Sequence, residues 1–131
     1  RLLRTMHKRD YRDYRVYKLS ASDKGRGIAV ATTSSPGTLI HTALASSAAN
    51  DWDALSVQVV NRSTSPIKLT IEWGGTDSAD QIEVTVPAEA GFTEVIPKHV
   101  LQDGAEVRAF ADTANELVIH GFVHRYEYSR P

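Results

Sequence analysis

The sequence predicts an all-β protein, an antiparallel β-sandwich or jelly roll of seven to eight strands preceded by an extended N-terminal arm. Three observations carry that expectation. Short runs rich in β-branched and aromatic residues recur about every ten positions from residue 38 onward, separated by turn residues, with no helix-length periodic segment between them. Several of these runs alternate apolar and polar side chains, as a strand with one buried face requires. Charge is also divided: residues 1–27 hold nine Lys or Arg against three Asp (9 − 3 = +6), while the remainder holds six against thirteen (6 − 13 = −7).

Taken in chain order, residues 1–18 are charged and carry Tyr11, Tyr14 and Tyr17, with a loose helical spacing through Leu3, Met6, Asp10 and Tyr14 and no clean strand alternation. They read as an arm with room for a short helix. Residues 20–27 are small, polar and glycine-containing, a linker, so the arm and linker span 1–27 and the sandwich 28–131. Residues 28–32 form a first strand ahead of the Ser34-Ser35-Pro36-Gly37 turn. The following runs are 38–44, 55–60, 67–73, 81–86, 92–96, 105–111 and 117–126, with turn chemistry at 61–66, 74–75, 87–91, 103–104 and 112–115.

Alternation assigns faces. Ile67, Leu69, Ile71 and Trp73 point inward against Lys68, Thr70 and Glu72, and Ile82, Val84 and Val86 do so against Gln81, Glu83 and Thr85. The expected core is Leu55, Val57, Val59, Leu69, Ile71, Ile82, Val84, Val107, Leu117 and Ile119. The last run departs from the rule: Leu117, Ile119 and Val123 make one face, but Val118, His120, Phe122, His124 and Tyr126 make another that is also apolar or aromatic. Such a strand is either central or covered by a partner.

At 131 residues the chain fits one domain that buries roughly two-thirds of its unfolded surface, and with no cysteine it depends on packing alone. It has no run as long as a membrane span, and its basic start lacks the apolar stretch of a signal peptide, so the expectation is an unexported protein outside the membrane.

Catalytic chemistry finds little support. His120 and His124 share a strand face but stand about 13 Å apart along it, too far for two ligands of one metal, so structural or contact roles are expected and no metal or other cofactor. Glu72, Asp77, Asp80 and Glu83 flank a hairpin beside Trp73, where a glycosidase would need two carboxylates across a cleft; alternation instead makes Glu72 and Glu83 outward strand residues. Asp51-Trp52-Asp53 lacks the further oxygen ligands of a calcium loop and reads as a polar lead into the strand at Leu55. No nucleophile elbow or phosphate loop occurs. Tyrosines among Arg and Lys could stack on bases, but Asp10 and Asp13 weaken that field, so docking on protein is expected and nucleic acid is not. The expected contact residues are Arg9, Tyr11, Arg12, Tyr14, Arg15 and Tyr17 of the arm with His120, Phe122 and His124 of the last strand.

The phrases Gly37-Thr38-Leu39-Ile40-His41-Thr42-Ala43, Leu69-Thr70-Ile71-Glu72-Trp73-Gly74-Gly75, Val107-Arg108-Ala109-Phe110-Ala111 and His120-Gly121-Phe122-Val123-His124-Arg125, in that order, resemble small virion proteins of tailed bacteriophages and prophages. The resemblance spans roughly the last 95 residues and leaves out the arm. It implies a β-sandwich module without catalytic residues, of capsid cement or decoration type, with a head-to-tail connector or fibre subunit as the alternative. The implied partners are the major capsid protein or neighbouring virion proteins and further copies of the chain, and the implied location is the virion, after synthesis in the host cytoplasm. From another class, a carbohydrate-binding sandwich would use Trp52 or Trp73 as a stacking platform.

Overall fold

A computed structural model describes residues 12–128, in which nine strands form two antiparallel sheets packed against each other. The strands are β1 (Arg12–Lys18), β2 (Ile28–Ala29), β3 (Thr38–Thr42), β4 (Trp52–Asn61), β5 (Ile67–Trp73), β6 (Gln81–Val86), β7 (Thr93–Leu101), β8 (Glu106–Ala111) and β9 (Leu117–Tyr128). The first sheet runs β1-β9-β4-β7, with β2 also on β9, and the second runs β3-β8-β5-β6. Among the described residues, no helix is long and apolar enough to cross a membrane.

The longest pairing joins β4 to β9 without a break, from Trp52 opposite Tyr126 to Asn61 opposite Leu117. Its inward positions, Leu55, Val57, Val59, Leu117, Ile119 and Val123, are buried and meet Leu69, Ile71, Val107 and Ala109 of the second sheet. Eight of the ten expected core residues are therefore buried. Ile82 and Val84 are partly buried because β6 is the edge strand of its sheet and has a neighbour on one side only.

The arm reading is corrected for residues 12–18. They form β1 and pair with Tyr128 through Phe122 of β9, so this segment belongs to the sandwich. Leu19 follows it into the core at 1% exposure, and the peptide N–H of Ala21 donates to Ile40 O, so residues 19–22 are also tied to the body ahead of the boundary expected at residue 27. The sequence hid this because charged residues interrupt the period-two pattern of an edge strand. Residues 1–11, including Arg9 and Tyr11, lie outside the described residues.

Other boundaries moved as well, most notably those of β4 and β7. β4 begins at Trp52, so Trp52 and Asp53 are strand residues and not a polar lead. β7 continues past Pro97 to Leu101, with Lys98 at φ 57° and an irregular register against β4. A proline is tolerated there because β7 ends its sheet and one side of its ladder is not called on.

Gly121 sits at the centre of the β4–β9 pair, where a Cβ would come 2.3 Å from Ser56 O and 3.3 Å from Leu19 Cδ1. Leu19 thus fills the space that Gly121 leaves. Gly121→Ala is expected to cost about 1–3 kcal/mol of stability by forcing the two strands apart; an unchanged melting temperature would show that the pair can relax.

Candidate partner-binding face

The parity that buries Leu55, Val57 and Val59 turns Trp52, Ala54, Ser56, Gln58 and Val60 of β4 to the outer face of the first sheet. The parity that buries Leu117, Ile119 and Val123 does the same for Val118, His120, Phe122, His124, Tyr126 and Tyr128 of β9. Of these eleven outward positions, five from β4 and six from β9, none carries a formal charge with histidine neutral. The outer face of the second sheet is ordinary by comparison: Lys68 pairs with Glu83 at 3.0 Å and Arg108 with Glu106 at 3.0 Å.

The lateral strands extend the face. Cross-strand register puts Tyr14 beside Tyr126, Val16 beside His124 and Lys18 beside Phe122. Among the described residues, five of the six large exposed hydrophobics lie here: Tyr14, Val16, Phe122, Phe92 at 65% and Val100 at 50%. Apolar residues scattered singly over a surface need no explanation, but this clustering on one sheet face makes it the candidate contact surface.

The rings lie against one another. Tyr126 has Trp52 at 5.7 Å on one side and Tyr14 at 4.8 Å on the other, Phe122 stands 5.3 Å from His124, and the Phe92 ring meets His120 edge-on at 4.9 Å. The Tyr14 hydroxyl is hydrogen-bonded to His124 Nδ1. Such tilted contacts fix the orientation of the rings within the face.

Beneath it runs a polar tie between the sheets. Ser20 N–H donates to His41 Nδ1 at 2.9 Å, which places the ring proton on Nε2, and Nε2 donates to Asp53 Oδ2 at 2.8 Å. Arg125 grips the same carboxylate through Nε at 2.7 Å and Nη2 at 3.0 Å, and Leu44 N–H adds a further donor at 3.2 Å. Burial pushes the Asp53 carboxyl up, but the hydrogen bonds and charges of Arg125 and His41 outweigh it and hold it at about 2. The Tyr17 ring lies 4.7 Å from the Arg125 guanidinium carbon, so β1 is anchored to this cluster as well. His41 and Asp53 are closed off at 1% and 0% exposure with their polar atoms engaged, an arrangement suited to joining the sheets and not to proton transfer with a substrate.

The structure therefore brings together Tyr14, His120, Phe122 and His124. It sets Arg15 and Tyr17 on the opposite side of β1, opposite Arg125 and Val123 in register, and it places Arg12 on β1 by its backbone. Sequence reading missed Trp52, Phe92, Val100 and Val16 as members of the face. It missed the tie too, although Asp53 and Arg125 each stand two residues from a core position, Leu55 and Val123, and so at inward parity.

Glu72, expected to be outward, is buried at 1% exposure because the 35–37 turn covers it; its carboxylate accepts from the Ser35 hydroxyl and from Gly37 N–H at 2.7 Å. A polar cleft of about 260 Å³ beside it is lined by Gly74, Thr76, Glu106 and Arg108. Among the described residues no group of three or more His, Asp or Glu is placed to hold a metal. No family model, curated protein or solved structure matches this chain.

Proposed function

We propose that the protein is a non-enzymatic structural subunit that docks on other proteins through the outer face of the β1-β9-β4-β7 sheet. The observation that carries this reading is the run of eleven uncharged outward positions on β4 and β9, flanked by exposed Tyr14, Val16, Phe92 and Val100. An apolar, aromatic centre with charge confined to the lateral strands is the anatomy of a protein-binding patch. A sugar platform would present ring faces outward. Here the two candidate platforms are partly buried: Trp52 lies 5.7 Å from Tyr126, and Trp73 packs against the core with its ring 5.6 Å from His99.

The assembly proposed is a tailed-phage virion, with the protein as capsid cement or decoration subunit, or alternatively a connector or fibre subunit, as the sequence resemblance implies. Many copies on a lattice would let a modest contact per copy hold firmly. Purified particles should contain the protein at a fixed, repeated copy number, read by quantitative mass spectrometry. Its absence from particles would contradict the virion assignment.

A further inference from the structure

The uncharged centre of the face selects against a partner chosen by charge and in favour of another uncharged sheet. Sheet-on-sheet packing is the arrangement such faces adopt, and this chain supplies both halves. We propose that the occupant is a second copy of this chain, stacked face to face about a two-fold axis that crosses the strands at the level of Gly121; the proposal rests on the docking face described above.

The charges at the rim fix the axis. Glu94 is exposed on β7 opposite Gln58, which is itself opposite His120. Farther along β7, Pro97 and Lys98, both exposed, form the bulge between Ile96 opposite Val57 and His99 opposite Leu55, which puts Lys98 near the level of Ser56 and Phe122. The two charges straddle the Gly121 level. A two-fold axis there inverts the strand direction and keeps β7 over β7, so Glu94 of each copy meets Lys98 of the other, twice. The same operation lays Phe122 over His120 of the other copy, again twice. An axis parallel to the strands would instead lay β1 over β7 and bring Lys18, level with Phe122, onto Lys98. Charge thus selects one of the two isologous arrangements open to a sheet face.

The area is sufficient for a reversible contact. Four strands at ~4.8 Å spacing and seven residues at ~3.3 Å rise give a footprint of roughly 400 Å² per copy. With side-chain relief the two-copy total is on the order of 1,000 Å², the lower bound for a specific interface. A dimer in the micromolar range is expected, strengthened wherever a lattice holds copies near one another.

The test is sedimentation velocity over a concentration series at low salt. The wild-type chain should move from the 14.4 kDa monomer to twice that mass as concentration rises. Phe122→Glu should raise the dimer Kd about a hundredfold or more, with circular dichroism and thermal melting confirming that the exposed substitution leaves the fold intact. Glu94→Lys and Lys98→Glu should each raise the Kd about fivefold, and the double reversal should return it to within about twofold of wild type, since both pairs are then restored with their signs exchanged. A wild type that stays monomeric at every concentration, a dimer indifferent to Phe122→Glu, or a double reversal no better than the singles would overturn the proposal. A monomeric wild type whose incorporation into particles is nevertheless lost with Phe122→Glu would leave the docking function standing and remove only the second copy. A dimer lost with Phe122→Glu while incorporation persists would do the reverse.

Discussion

Leu19→Ala is expected to lower the unfolding free energy by about 2–5 kcal/mol. Leu19 is 1% exposed and its Cδ1 occupies the space over Gly121, where the β4–β9 pair leaves room for one side chain. Neighbours cannot close the resulting cavity, because the strand backbones on either side are locked by continuous pairing. The loss should be larger when residues 1–19 are deleted together, since β1, with its seven register pairs to β9, goes as well. Urea denaturation followed by tryptophan fluorescence measures both. A deletion that melts like the intact chain would return residues 12–19 to the status of a dispensable arm.

Asp53→Asn should cost about 3 kcal/mol or more, because it leaves the Arg125 guanidinium, 22% exposed, and buried His41 without the carboxylate that orders them. The same pair makes stability depend on pH in a definite direction. Folded Asp53 titrates at about 2, below its ordinary 3.8, so as pH falls the unfolded chain takes up the proton first. Its contribution, on the order of 2 kcal/mol, is whole above about pH 5, declines between about pH 4 and pH 2, and is gone below the folded value. Acid titration of stability should therefore show a fall in that window that Asp53→Asn flattens. An identical acid profile in wild type and variant would show that other carboxylates govern acid unfolding.

What the sequence made legible was whatever follows period two. Ile67 through Trp73 and Gln81 through Val86 alternate cleanly, and β5 and β6 begin and end where that alternation does. The double-sided last run was informative as well, since the apolar outward set containing His120, Phe122 and His124 became one side of an exposed patch. Elements whose pattern is set by tertiary pairing were not legible. β1 is an edge strand and draws its stability from β9, so its Arg, Asp and Lys residues look like a solvated arm until the partner strand is known. The expected run 92–96 ends ahead of Pro97, yet β7 continues through it because the strand is an edge. Asp53 reads as part of a polar lead, and its pairing with Arg125 is hidden because the two stand 72 positions apart, a separation that no local pattern reports.

The same separation explains why only part of the face was found. Trp52, Phe92 and Val100 join Phe122 and His124 only through the β4–β9 and β4–β7 registers, and neither register is written in any one strand. Arg15 and Tyr17 were grouped with Tyr14 because they are neighbours in the chain. On a strand, neighbours point to opposite sides, and Tyr17 instead helps hold Arg125 in the tie between the sheets.

The most direct test of the proposed docking on phage particles is an incorporation assay in which particles are assembled with wild-type protein, with Phe122→Glu and with Lys68→Glu, the last placed on the charged outer face of the second sheet. Bound copies per particle are then counted. Phe122→Glu should be lost from particles at concentrations where wild type and Lys68→Glu fill them. Equal incorporation of all three would contradict the claim that the aromatic face of the first sheet is the docking surface.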